Sequence, residues 1–198
     1  MAFEIELKAR LDDYEPVKER LFSIGKYVHL YKKSDSYWFL AGADNYGVRV
    51  RRETDVDESG AEMTTVLVTY KLKEISGGIE VNDENEFSVS DAAVFEQLLG
   101  KIGLTRAICK EKTGWAWIIQ ADQSEVQSAI QPEILAELSL VTGLGWFLEL
   151  EIICADNYGQ TVEHSRKRLF ALLDKLEIPA DRIESRPYME MLKDVVSG

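Results

Sequence analysis

The chain has 198 residues, 45% of them hydrophobic and 29% charged, which suits a globular domain with a sizeable core and excludes a disordered or fibrous chain. Its net charge of −12 opposes general affinity for nucleic acid, which Lys and Arg supply by neutralising phosphates. No apolar run approaches the roughly 20 residues that span a bilayer, and no basic segment followed by an apolar one opens the sequence, so no membrane segment and a cytoplasmic location are expected.

In chain order, FEIELKARL alternates apolar and charged residues and is predicted as a strand. Pro16 opens a helix whose Val17, Leu21 and Ile24 share a face, with Gly25 as its stop. Strand-like runs follow in YVHLYKKSDSYWFLAG, GVRVRRE, TTVLVTYKLKEI and the stretch ending ENEFSVS, separated by the turn sequences GADNYG, DESG and SGG. Ser90 is the expected cap of a second helix with Val94, Phe95, Leu98, Leu99 and Ile102 as its buried stripe. A further strand spans TRAICKEKTGWAWII, and the polar residues 122–133, interrupted by Pro132, read as a loop or short helix. ILAELSLV and GWFLELEIICA form two strands joined by TGLG. A third helix runs from Gln160 to Leu176 with Val162, Leu169, Leu172, Leu173 and Leu176 buried, and a short helix follows Pro187. The pattern predicts an α+β fold of about eight to nine strands in a single domain over residues 1–198, with a loosely duplicated order of strand, helix and strands.

Like charges recur two residues apart: Glu4 and Glu6, Arg49 and Arg51, Lys71 and Lys73, Glu84 and Glu86, Lys110 and Lys112, Glu149 and Glu151. Side chains two apart on a strand share a face, so most of these strands carry one charged and one apolar face. A water-facing sheet and the inside of a barrel both give this alternation. Single-sign pairs favour the inside, because exposed faces usually mix signs. Carboxylates without His or Cys partners suit hard cations such as Mg²⁺ or Mn²⁺, and Lys and Arg suit phosphate oxygens. Cys109 and Cys154 belong to no CxxC or Cys/His group, His29 and His164 are far apart, and no GxxxxGK[ST] loop is present.

Glu4-Ile-Glu6-Leu-Lys8 resembles the ExExK signature of the CYTH superfamily, which includes class IV adenylyl cyclases, thiamine triphosphatases and inorganic triphosphatases. SDSYWF, VRVRRE, TYKLK, ENEFSVSD, KEK, GLGWFLELE and RPYMEML follow in the family's order, so the resemblance covers nearly the whole chain. It implies a closed antiparallel β-barrel, a triphosphate tunnel, with helices packed outside. It implies metal-binding roles for Glu4, Glu6, Glu149 and Glu151, with Glu84 and Glu86 as further acidic members and Glu137 standing in where Ser139 replaces a common aspartate. Arg49, Arg51, Lys71, Lys110 and Lys112 are implied in phosphate binding, together with Lys73 and Arg186, and Lys8 and Glu6 as the catalytic pair. Lys112 stands where many members have Arg, and Asn82 where several do.

The implied activity is Mg²⁺- or Mn²⁺-dependent hydrolysis of a small-molecule triphosphate, whether inorganic triphosphate, thiamine triphosphate or a nucleotide, by a monomer or homodimer. Cyclisation of ATP to cyclic AMP and noncatalytic polyphosphate binding are the alternatives. Trp115, Trp117 and Trp146 are read as packing groups rather than a base-stacking platform. Tyr37 is expected at the tunnel mouth, and His164, Arg166, Lys167 and Arg168 on a solvated helix face.

Overall fold

A computed structural model describes residues 3–40, 47–76, 79–120, 133–156 and 158–197; within these, the side chains of 71–76, 79–84 and 196–197 are not described. Most of the expected loop at 122–133 and of the GADNYG turn lies outside the described residues. Eight strands and four α-helices follow in the order β1 (Phe3–Leu11), α1 (Glu15–Ile24), β2 (Lys26–Leu40), β3 (Gly47–Val56), β4 (Glu62–Ser76), β5 (Ile79–Ser88), α2 (Ala92–Lys101), β6 (Leu104–Gln120), β7 (Glu133–Val141), β8 (Gly145–Cys154), α3 (Gly159–Lys175) and α4 (Tyr188–Ser197).

All strand pairs are antiparallel, in the order β1-β5-β4-β3-β2-β6-β7-β8, and β8 pairs back onto β1. The two seams of β1 are unequal. All of Phe3–Leu11 pairs with β8, whereas only Phe3 to Glu6 pairs with β5. Beyond Glu6 the second edge of β1 is met by the chain near Ile183, through a bridge from Ala9 and a 2.8 Å bond from the Glu184 amide to the Lys8 carbonyl. The strands therefore do not close on one another along the full length of β1, and the expected barrel is met only in part. Exchanging each strand for the one four places along maps this order onto itself, which gives the loose duplication a topological basis.

The apolar faces lie under the helices. Ile5, Leu7 and Ala9 of β1, Trp117 and Ile119 of β6, Ala136 and Leu138 of β7 and Leu148, Leu150 and Ile152 of β8 pack against Val17 and Leu21 of α1 and Leu169, Leu172 and Leu173 of α3. Burying each such side chain contributes about 1.5–3 kcal/mol, enough to fix which face of these strands turns outward to the helices. A smaller cluster joins Val50 of β3 to Ala92 and Leu99 of α2.

Three local expectations are corrected. Asp91, not Ser90, caps α2, its carboxylate accepting from the amides of Ala93 (2.8 Å) and Val94 (3.1 Å). Of the expected stripe, Leu99 is buried and Phe95 half-buried, whereas Val94, Leu98 and Ile102 are exposed. Arg168, expected in water, is buried with the inner stripe of α3.

Candidate functional site on the inner face of the sheet

With the apolar side of the strands covered by helices, period-two geometry turns the alternate residues to the opposite, inner face. That face is charged, and it is buried: Lys8, Lys33, Asp35, Arg51, Lys110, Lys112 and Glu137 are each at most 9% exposed. The charged faces read from the sequence thus look inward for these strands.

One part of the interior centres on Asp35 of β2, whose side chain has no exposed surface. Arg51 on the neighbouring strand donates to it in a fork, Nε to Oδ1 at 2.7 Å and Nη2 to Oδ2 at 3.0 Å. From the other neighbouring strand, Lys110 Nζ lies 3.0 Å from Oδ2. Register explains the trio, since Asp35 pairs directly with Arg51 on β3 and Lys110 on β6. Burial pushes the Asp35 carboxyl up, but Lys110 and Arg51 together outweigh it and hold it well below the usual carboxylate range. Arg49, one step along β3, donates to the Thr69 hydroxyl at 2.8 Å, and Thr69 donates to Glu86 at 2.8 Å.

A second part forms a chain of alternating charge. Glu137 accepts from Lys33 at 2.5 Å and from Lys112 at 2.8 Å; Lys112 also bonds Glu149, and Lys33 lies 3.1 Å from Glu53. Burial penalises each charge, yet Lys112 keeps the Glu137 carboxyl well below its ordinary value and Glu149 lowered from 4.5 to about 2. Conversely, burial pulls Lys112 down and the two glutamates raise it well above its ordinary value. Glu137 lies on the same inner face as Ser139, and both Glu137 and Glu149 are bonded by the Lys112 ammonium.

Helix α4 packs on inner-face residues of β7 and β8. Tyr188 and Met191 pack on Val141 and Phe147, and the Tyr188 ring lies 4.5 Å from Lys8 Nζ and 4.9 Å from Lys110 Nζ. Lys8 donates to the Arg186 carbonyl at 2.8 Å. The Arg186 guanidinium itself is half-exposed and pairs with Glu184 and Asp194, so the structure places it outside the inner face. Among the described atoms, the Tyr188 hydroxyl is buried without a hydrogen-bond partner.

Glu6 and Glu151 are direct partners in the β1–β8 register, two carboxylates on one face that a cation between them would relieve. Oxygen donors of this kind, with Glu4 on the same face, suit a hard divalent ion. Among the described residues no three His, Cys, Asp or Glu side chains stand close enough to form a ready-made metal group. The side chains of Lys71, Lys73, Glu84 and Asn82 lie outside the described residues; in register Lys71 pairs with Glu84 and Lys73 with Asn82. Glu86 is exposed.

Sequence reasoning missed Lys33, Asp35, Glu53 and Thr69. The signal was present as Tyr31, Lys33, Asp35 and Tyr37 at period two, but a search for like-signed pairs passes over a strand that mixes signs. The tryptophans are packing groups, as expected: Trp117 is in the outer core, and Trp115 and Trp146 stack in parallel beside Tyr14.

No family model matches the chain. A Methanocaldococcus jannaschii protein named "Putative adenylate cyclase MJ0240" is 28% identical over 193 residues, covering 95% of this chain and 97% of its own. Among solved structures, the PH1819 protein from Pyrococcus horikoshii OT3 superposes with a TM-score of 0.76 at 21% identity, over 96% of this chain and 98% of that one. The Hippeastrum protein named "Putative adenylyl cyclase HpAC1", described with a dominant triphosphatase activity, superposes with a TM-score of 0.57 at 14% identity, over 94% of this chain and 91% of that one.

Proposed function

With the likeness to CYTH proteins running the length of the chain, we propose that this protein hydrolyses a small triphosphate, inorganic triphosphate being the simplest, inside a tunnel formed by the eight strands. The observation that carries the reading is the inner face, where Arg49, Arg51, Lys110 and Lys112 approach carboxylates from the neighbouring strands and Lys8 is buried beside them. Cations held in a poorly hydrated interior interact with phosphate far more strongly than they would in water.

In this reading Arg49, Arg51 and Lys110 grip the phosphate oxygens, and Lys8 contacts the chain of phosphates beside Tyr188. Water oriented by the carboxylates attacks the terminal phosphorus, the bridging P–O bond breaks with its electron pair staying on the diphosphate, and the water's proton ends on the orthophosphate released. The basic side chains stabilise the charge that develops on the leaving diphosphate. Glu4, Glu6 and Glu151 are the side chains that would hold Mg²⁺ or Mn²⁺, and such an ion supplies Lewis-acid polarisation of the phosphoryl oxygens.

Cyclisation of ATP is the second reading, favoured by the name carried by the full-length M. jannaschii relative. Against it, Trp115, Trp117 and Trp146 belong to the outer cluster under the helices, so none of them offers a base a stacking surface on the inner face. The deciding experiment incubates the protein with Mg²⁺ or Mn²⁺ and tripolyphosphate, thiamine triphosphate or ATP and measures orthophosphate, pyrophosphate and cyclic AMP separately. Orthophosphate from tripolyphosphate, lost in Glu6→Gln, is the expected result. Cyclic AMP with pyrophosphate would replace hydrolysis by cyclisation, and metal-dependent binding without product would leave a binding module.

A further inference from the structure

We propose that Asp35 is a positioning residue for the phosphate grip: it fixes Arg51 and Lys110 side by side and offsets part of their charge, so that the triphosphate is held firmly enough to react and the diphosphate product loosely enough to leave. The inference rests on the triphosphatase reading. It begins from the completeness of the Asp35 contacts. Its two oxygens receive the Arg51 fork at 2.7 and 3.0 Å and the Lys110 ammonium at 3.0 Å, and the Tyr37 hydroxyl lies 3.4 Å away.

The fork uses one edge of the Arg51 guanidinium, Nε with Nη2. Its other terminal nitrogen, Nη1, has the carboxylate of Glu53 only at 3.8 Å. A planar guanidinium held along one edge cannot rotate, so the remaining edge is presented in a fixed direction. Lys110, a flexible point charge on its own, is brought to the same carboxylate from the opposite neighbouring strand. Two cations and one anion leave a local excess of one positive charge where two would stand without Asp35.

Stability alone is a poor reason for such a trio. Buried ion pairs seldom stabilise a fold more than apolar replacements of similar shape. The carboxylate also remains ionised throughout the neutral range, because Lys110 and Arg51 together outweigh its burial. Its charge therefore acts on any anion that enters.

The test combines calorimetric binding of pyrophosphate in Mg²⁺ with steady-state hydrolysis of tripolyphosphate, for the wild type, Asp35→Asn and Asp35→Glu. The wild-type protein tests the underlying reading first: if it neither binds pyrophosphate nor hydrolyses tripolyphosphate, that reading falls and this inference with it. Given an active wild type, folded Asp35→Asn is expected to bind pyrophosphate about tenfold more tightly, with a lower KM and a kcat reduced about tenfold. Asp35→Glu keeps the charge but displaces the fork; its kcat is expected to fall about tenfold with pyrophosphate affinity within about twofold of the wild type. Unchanged or weaker pyrophosphate binding by folded Asp35→Asn overturns the proposal, since a purely structural carboxylate would not restrain affinity. If Asp35→Asn does not fold, Asp35→Glu decides: loss of kcat at constant affinity supports positioning, and a wild-type kcat or an affinity changed by more than about twofold overturns it.

Discussion

The Glu149 carboxyl, lowered from 4.5 to about 2, ties the interior to acid stability. A carboxyl whose pKa is lower in the folded chain than in the unfolded one stabilises the fold fully above its unfolded value and ceases to do so as the pH falls through its folded value. Glu137 and Asp35 shift in the same direction. The melting temperature is therefore expected to hold from neutrality to about pH 4.5 and to drop steeply toward pH 2; a flat profile across that window would contradict the buried pairs. Lys112→Met would strip Glu137 and Glu149 of their shared cation and is expected to cost about 3–5 kcal/mol, read as a lower urea midpoint. Much of this chemistry was legible in the sequence. Arg49, Arg51, Lys110, Lys112, Glu137 and Glu149 were marked by alternation and motif. Asp35 and Lys33 were not, because their function depends on cross-strand register, which a single strand's pattern does not contain. Arg186 failed for a related reason: a motif names a residue, but the chain path decides whether its side chain or its carbonyl reaches the interior.

The elements themselves were largely readable, because period-two runs and helical stripes were long enough to distinguish. Their exact phase was less so. In α2 two adjacent residues can cap a helix, and the choice of Asp91 over Ser90 accompanies the exposure of three of the five residues expected to be buried. Asp91→Ala should therefore cost about 1 kcal/mol, measured by urea titration. The β6–β7 contact makes a sharper demand. A Cβ on Gly114 would stand 2.2 Å from the Leu138 carbonyl oxygen and 2.7 Å from the Ser139 Cα, both backbone atoms that cannot swing aside. Gly114→Ala is expected to destabilise by at least about 1–3 kcal/mol, checked by thermal melting. A melting temperature equal to that of the wild type would show that the two strands can part there without loss.

For the whole molecule, a net charge of −12 coexists with cations concentrated on the inner face. Tripolyphosphate with Mg²⁺ should consequently raise the melting temperature, by roughly 2.7 kcal/mol of added stability at one hundred times the dissociation constant; chloride at equal ionic strength should not. The sequence indicated that such an inward face exists, but not that β1 meets β5 over only part of its length, because the path of a distant segment decides that. The bond from Lys8 to the Arg186 carbonyl joins positions 178 residues apart, and β1 also pairs with β8 near the far end of the chain. Contacts that distant carry a large loop-closure cost before they repay it, so folding should be limited by the late docking of the first strand, and refolding after dilution from urea should be slow on the millisecond scale.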